Sequence, residues 1–283
     1  MSIDSTWLRC PNCFSDLSPV DERVYGCARG HRFDRSKHGY LTLLDPKAPR
    51  TVGDDHEMLA ARAALLGRGV YLPIAQELLR TALPAGEGHP GAPPRIADLG
   101  CGTGYYAARL SDAHADATFL LADRSPQAVR SALRSLPGAT GVVVDIWRPL
   151  PLRTHVADVI LNVFAPRNPS EFARILRPGG RLAVVIPQAD HLHELRELGM
   201  LLGILPAKAS AVTTRLGGAG FEARDARRLR YAIQADSEIR DLLAEMGPSA
   251  HHAATRVDAD VEGTIDVTIA VEVITFELAS PPR

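Results

Sequence analysis

The sequence predicts an α/β protein: a mostly parallel sheet flanked by helices, with a small metal-stapled module at its N-terminus. Three observations carry that reading. From residue 96 onward, short apolar runs alternate with stretches of helical periodicity, and strands spaced by helices of that length run parallel through right-handed crossovers. The glycine-rich string Asp98-Leu99-Gly100-Cys101-Gly102-Thr103-Gly104 directly follows the first of those runs and opens a helix. Near the N-terminus, Cys10-x2-Cys13 and Cys27-x3-His31 stand thirteen residues apart, the spacing of two knuckles that converge on one ion.

The elements follow in order. Residues 1–45 are dense in turn residues and poor in apolar periodicity, so they look like a small metal-stapled module, with RNA recognition as its expected role where its basic residues hold phosphates. Residues 46–95 hold two linking helices over 54–83, parted at Gly67–Gly69 with Pro73 opening the second, and then a Pro/Gly linker. Residues 96–283 form the Rossmann-like domain. Its strands are expected at 96–99, 118–122, 141–145, 157–163 and 181–186, and its helices at 105–114, 126–136, 170–176 and 237–246. The alternation Ile265, Val267, Ile269, Val271, Val273 marks a long last strand, antiparallel in a mixed sheet.

Bulk properties remove several classes. The 283 residues carry a net charge of −1, so no global field draws the chain to nucleic acid, and an RNA site must be a local patch. No apolar run is long enough for a membrane span, and Met1–Arg9 lacks the apolar core of a signal peptide. A cytoplasmic location is expected. Thiols stay reduced there, and paired cysteines read as metal ligands before disulfides.

The chemistry is written at the ends of the strands. Glycines let the loop after the first strand turn tightly against a ligand, and the helix it opens offers free N–H groups to an anion. The G-x-G-x-G spacing preceded by Asp98 fits the amino-acid end of S-adenosylmethionine; Asp98 fixes either the loop or the ligand's ammonium group. Asp123 ends the second strand, where a carboxylate accepts from both ribose hydroxyls, a geometry that nicotinamide sites share. Asp145 and Ile146 end the third, with Asp145 accepting from an adenine amino group and Ile146 giving an apolar face. Asn162-Val163-Phe164-Ala165-Pro166 ends the fourth. Asn162 and Phe164 are either the residues that position and stack the acceptor base or a turn Asn and a buried Phe. The Asn/Asp-Pro-Pro-aromatic string frequent in amine-directed adenine and cytosine methyltransferases is absent here.

The Cys3His set of Cys10, Cys13, Cys27 and His31 suits structural zinc, because four protein ligands leave no open position. Cys101 reads as a small loop residue. Around the module stand Arg29, Arg32, Arg35, Lys37, Lys47 and Arg50, against Asp34 and Asp45, with Tyr25, Phe33 and Tyr40 interleaved. That is either a surface for phosphates and unstacked bases or a solvated basic face. Arg224, Arg227, Arg228 and Arg230 pose the same choice. His191-Leu192-His193 and His251-His252 lack a partner set for metal.

Taken together, these motifs resemble the 23S rRNA guanine-N1 methyltransferases of the RlmA type, along nearly the whole chain. The carrying strings are CPNCFSDL, YGCARGHRFDRSKHGYLTLL, EMLAARAALLGRGVYLPI, DLGCGTGYYAARL, NVFAPRNPSEFARILRPGGRLAVVIPQADHLHEL and MGPSAHH. The members conferring tylosin or mycinamicin resistance look most alike, in LNVFAPRNP and MGPS. The resemblance implies a class I S-adenosylmethionine methyltransferase domain and zinc at the Cys3His set. It implies cofactor contacts at Tyr71, Gly100, Gly102, Tyr106, Ala107 and His191, beside the loop's Asp98 and Gly104. It also implies action on a hairpin in domain II of 23S rRNA, and a homodimer. Two rivals stay open: a small-molecule methyltransferase, indifferent to loss of residues 1–45, and a non-enzymatic zinc protein that binds nucleic acid.

Guanine N1 must lose its proton to become a nucleophile. Asp145, the Asn162 carbonyl or a water are the candidate acceptors of that proton.

Overall fold

The computed structural model describes residues 3–45, 53–83, 93–201, 209–247 and 263–279. Lys47, Arg50, the 84–92 part of the expected linker and His251-His252 lie outside these. The N-terminal segment opens with a 3-10 turn at Ser5–Trp7 and continues in three short antiparallel strands, β1 (Ser18–Asp21), β2 (Val24–Gly26) and β3 (Arg32–Asp34). A fourth strand, β4 (Tyr40–Thr42), leaves that sheet and pairs in parallel with β7 (Thr140–Val143). It thereby becomes one edge of the large sheet.

Two helices come next. α1 (His56–Gly67) is capped by the Asp55 carboxylate, which accepts from Met58 N at 2.9 Å. α2 (Leu72–Thr81) has Pro73 in its first turn, where a missing N–H costs nothing. The two helices bend at the expected Gly67–Gly69 break, by 79°. Among the described residues no single helix is long and apolar enough to cross a membrane.

The large sheet is built from β5 (Arg95–Leu99), β6 (Thr118–Asp123), β7, β8 (Ala157–Val163), β9 (Leu176–Pro187), β10 (Phe221–Ala235) and β11 (Ile265–Leu278), with β4 added. Its order is β10-β11-β9-β8-β5-β6-β7-β4. The strands from β4 to β9 pair in parallel, while β11 lies antiparallel to β9 and to β10. Crossover helices α3 (Tyr105–Ala113), α4 (Pro126–Ser135) and α5 (Pro169–Ile175) link the parallel strands. α6 (His193–Glu197), α7 (Ala209–Gly217) and α8 (Ser237–Glu245) follow. The sequence order reverses between β5 and β8, and ligands bind at such a switch point, outside the carboxyl ends of the strands.

The sheet separates two cores. α1 to α4, α6 and α8 pack on one face. α5, α7 and the N-terminal segment pack on the other. Trp7, Leu8, Leu17 and Leu41 are fully buried there with Leu150 and Leu152, each contributing about 1.5–3 kcal/mol. Arg9 N donates to Pro151 O at 3.0 Å and Arg153 N to Trp7 O at 2.9 Å. Removing residues 1–45 would therefore strip an edge strand and expose core, so that deletion does not separate the rival readings cleanly.

Two expectations shift. The third strand ends at Val143, so Asp145 and Ile146 lie in the turn beyond it. β10, a 15-residue strand, was not expected at all. It is an edge strand whose outward residues are charged, and that hides its period.

Candidate active site and zinc centre

Cys10 and Cys13 sit on the turn after the first bridge of the N-terminal segment. Cys27 and His31 flank the turn between β2 and β3, closed by Gly30 N donating to Cys27 O at 3.0 Å. Their donor atoms all lie within 4.8 Å of one another. Cys27 Sγ is 3.3 Å from His31 Nδ1, Cys10 Sγ 3.5 Å from the same nitrogen, and Cys13 Sγ 3.6 Å from Cys27 Sγ. A tetrahedron with metal–sulfur bonds of about 2.3 Å has edges of about 3.5–3.8 Å, so the four donors fit a closed structural zinc site.

At the carboxyl ends of β5 to β8 a cavity of about 580 Å3 opens, within the usual size range for small-molecule sites. The glycine loop forms its floor. Gly100 has φ +93°, and a Cβ there would collide with the Cβ of Ala165 in the β8 loop. A Cβ at Gly104 would stand 2.8 Å from Ala132 Cα of α4, and Gly104 caps the start of α3. Asp98 lines the cavity almost wholly buried, and burial with the neighbouring Asp123 charge pushes its carboxyl up to about 7. Asp123 receives Gly102 N at 3.0 Å and Ser125 N at 2.9 Å. Burial raises its pKa, against those two bonds.

At the next loop, Ile146 lines the cavity, and Asp145 is held by an ion pair with Arg124 and by Trp147 N at 3.1 Å. Phe164 stands at the rim, 42% exposed with φ +51°. A non-glycine residue held there costs about 1–3 kcal/mol. Its ring lies 6.0 Å from Tyr71 and 6.1 Å from His191, nearly parallel to the latter. His191 Nδ1 accepts from Ala270 N at 3.2 Å, which leaves the proton on Nε2. Burial and the Arg196 charge push its pKa down to about 4, so the ring is neutral. The hydroxyls of Tyr71 and Tyr106 are buried without a partner while both residues line the cavity. Orphaned donors, a buried carboxylate and a glycine cradle fit a polar, zwitterionic cofactor.

Several expected residues are placed differently. Asn162 does not line the cavity. Its Nδ2 donates to Leu99 O at 3.1 Å and Pro166 O at 2.8 Å, so it ties the glycine loop to the Phe164 loop instead of meeting a base. Ala107 is fully buried in core on α3. Of the module's cations, Arg29 and Lys37 are exposed, and Arg35 is half-buried. Arg32 braces the zinc loop by donating to His31 O at 3.1 Å. The β10 arginines are paired with acids: Arg224 with Glu277, Arg227 with Glu77, Arg228 with Glu272 and Arg230 with Asp190. That cluster is a neutralised strand face.

Sequence reasoning missed Arg62 and Asp54. Their ion pair lines the cavity beside Gly102, and Arg62 Nη2 donates to Met246 O at 2.7 Å. The signal was present: Met58, Arg62 and Leu66 recur at four-residue spacing on an apolar helix face.

A glycine loop, strand-end acids and a switch-point cavity define a Rossmann-like S-adenosylmethionine methyltransferase with an N-terminal zinc module. The family described as "Methyltransferase domain" matches residues 96–180, and that described as "RlmA, N-terminal", a zinc ribbon, matches residues 8–48. A Streptomyces fradiae protein named 23S rRNA (guanine(748)-N(1))-methyltransferase is 42% identical over 280 residues, 97% of each chain. A Micromonospora griseorubida protein with a provisional name for 23S rRNA guanine-N1 methylation is 39% identical, over 95% of this chain and 96% of its own. A chain of the complex between the Haloferax volcanii Trm112 methyltransferase activator and a methyltransferase shares the fold, with TM-score 0.53 and 16% identity, covering 81% of this chain and 100% of that one. The chain belongs to the 23S rRNA (guanine-N1)-methyltransferase family. Its cofactors are S-adenosylmethionine and structural zinc.

Proposed function

We propose that this enzyme methylates N1 of one guanine in a domain II hairpin of 23S rRNA, and that the mark confers resistance to macrolides of the tylosin and mycinamicin type. The observation that carries the reading is Phe164: a strained, exposed aromatic at the rim of the cofactor cavity, in the string LNVFAPRNP. An enzyme with this substrate works in the cytoplasm, beside the ribosome. A homodimer, which the resemblance to this family implies, is part of the proposal. Incubating the protein with S-adenosylmethionine and a domain II transcript tests it; an unmodified transcript argues against it.

In this reading Asp98 meets the cofactor's ammonium group, and Asp123 the ribose. Gly100, Gly102, Gly104 and Tyr106 shape the amino-acid end, with Ala107 behind them in the core. Asp145 and Ile146 border the adenine. Tyr71 and His191 close the cavity from the linking helices and the β9 end. Bound there, S-adenosylmethionine supplies an electrophilic sulfonium methyl group. Phe164 stacks on the flipped base, so that N1 faces the cavity. Asn162 acts through the loop it braces. Exclusion of water by the aromatic wall favours a step in which positive charge is dispersed. Arg29, Arg32, Arg35 and Lys37 lie on the zinc module, where RNA phosphates are expected to dock.

Two expected outcomes follow. Asp98 is protonated below about pH 7 in the free protein, and only its charged form pairs with an ammonium. Cofactor affinity should therefore fall on acidification through pH 7, by up to about tenfold per unit, and calorimetry on Asp98→Asn should show that slope gone. A wild-type affinity flat from pH 5.5 to 8 would remove Asp98 from the site. Phe164→Gly should lower turnover about 10- to 100-fold by loss of stacking, while thermal stability holds or rises because φ +51° suits glycine. Unchanged turnover would show that the ring does not touch the base.

A further inference from the structure

Arg167 lines the cavity three residues past Phe164, half-buried, with its Nη1 donating to Ala165 O at 3.2 Å. Neighbouring cavity cations are compensated: Arg62 by Asp54 and Arg124 by Asp145. Arg167 has no carboxylate at ion-pair distance among the described residues. The charge it feels most is another cation, Arg215 on α7, and burial and that repulsion both lower its pKa. A part-buried guanidinium beside a like charge is costly unless an anion joins it.

Near Arg167 the cavity wall carries Phe164 and Trp147, the latter 60% exposed. Exposed aromatic faces beside free cations suit single-stranded nucleic acid, whose bases stack while its phosphates pair. α5, α7 and the zinc module pack on one face of the sheet.

We propose that Arg167 binds an RNA phosphate flanking the target nucleotide, anchoring the backbone while the base enters against Phe164. This rests on the 23S rRNA reading above. The ligand class is a phosphodiester, and Arg is the residue whose fork matches it.

The test is binding of a domain II hairpin transcript by Arg167→Ala and Arg167→Lys, titrated across salt, with cofactor affinity measured in parallel. Arg167→Ala should weaken RNA binding by roughly tenfold at low salt. It should also reduce the log–log salt slope by about 0.7–0.9, one phosphate contact's worth. Arg167→Lys should keep much of the slope, and cofactor affinity should hold in both. Unchanged RNA affinity and slope in Arg167→Ala, with the wild type methylating the hairpin, overturns this proposal alone. Loss of cofactor binding in Arg167→Ala with RNA binding intact also overturns it. A wild type that binds no hairpin overturns both this proposal and the rRNA reading.

Discussion

Cys27→Ser is expected to release the metal and lower the melting temperature of the whole chain. The four donors stand at tetrahedral spacing around one point, and structural zinc contributes about 10–16 kcal/mol of apparent binding energy that is also folding energy. The β1–β3 sheet is too small to hold without it. Its loss does not stay local. Trp7, Leu8 and Leu41 are buried in the same core as Leu150 and Leu152, and β4 pairs with β7. Metal analysis should give one zinc per wild-type chain and none in the variant. A full zinc complement in Cys27→Ser, or an unchanged melting curve, would contradict the assignment.

Asp123→Ala is expected to abolish measurable cofactor binding, for two reasons that add. The first is loss of a charge-assisted bond to the ribose, about 1.5–3 kcal/mol. The second is local: the carboxylate holds Gly102 N and Ser125 N, and two buried donors left unpaired cost about 1–3 kcal/mol each. Asp123→Asn separates them, since its carbonyl keeps one acceptor for the loop. Calorimetry should rank affinity as wild type, then Asn, then Ala, with only Ala losing stability strongly. Full affinity in the alanine variant would remove Asp123 from the site.

Elements with a clean period were legible in the sequence. β5, β6 and β8 begin and end within a residue of expectation, because both faces of a central parallel strand are apolar. β10 escaped because Arg224, Arg227, Arg228 and Arg230 mask the inward alternation of Leu229, Tyr231 and Ile233. An edge strand with a solvated face carries half the apolar signal, and its acid partners come from α2, β11 and the turn after β9. At the site, motif residues were legible where backbone geometry demands a type, as at Gly100. For Asn162, sequence gives the position at a strand end and not the two carbonyls its amide meets. Arg62 and Arg167 were missed because their meaning depends on which charges surround them in space.

The position of the transferred methyl group is the most direct readout of this enzyme's function. A 23S rRNA domain II transcript is treated with the protein and S-adenosylmethionine, and its nucleosides are resolved by mass spectrometry with reverse-transcription stops to place the mark. One N1-methylguanine in a domain II hairpin is the result predicted here. Methyl transfer to another base or to an exocyclic amine, or none at all from zinc-replete, cofactor-binding protein, would contradict it.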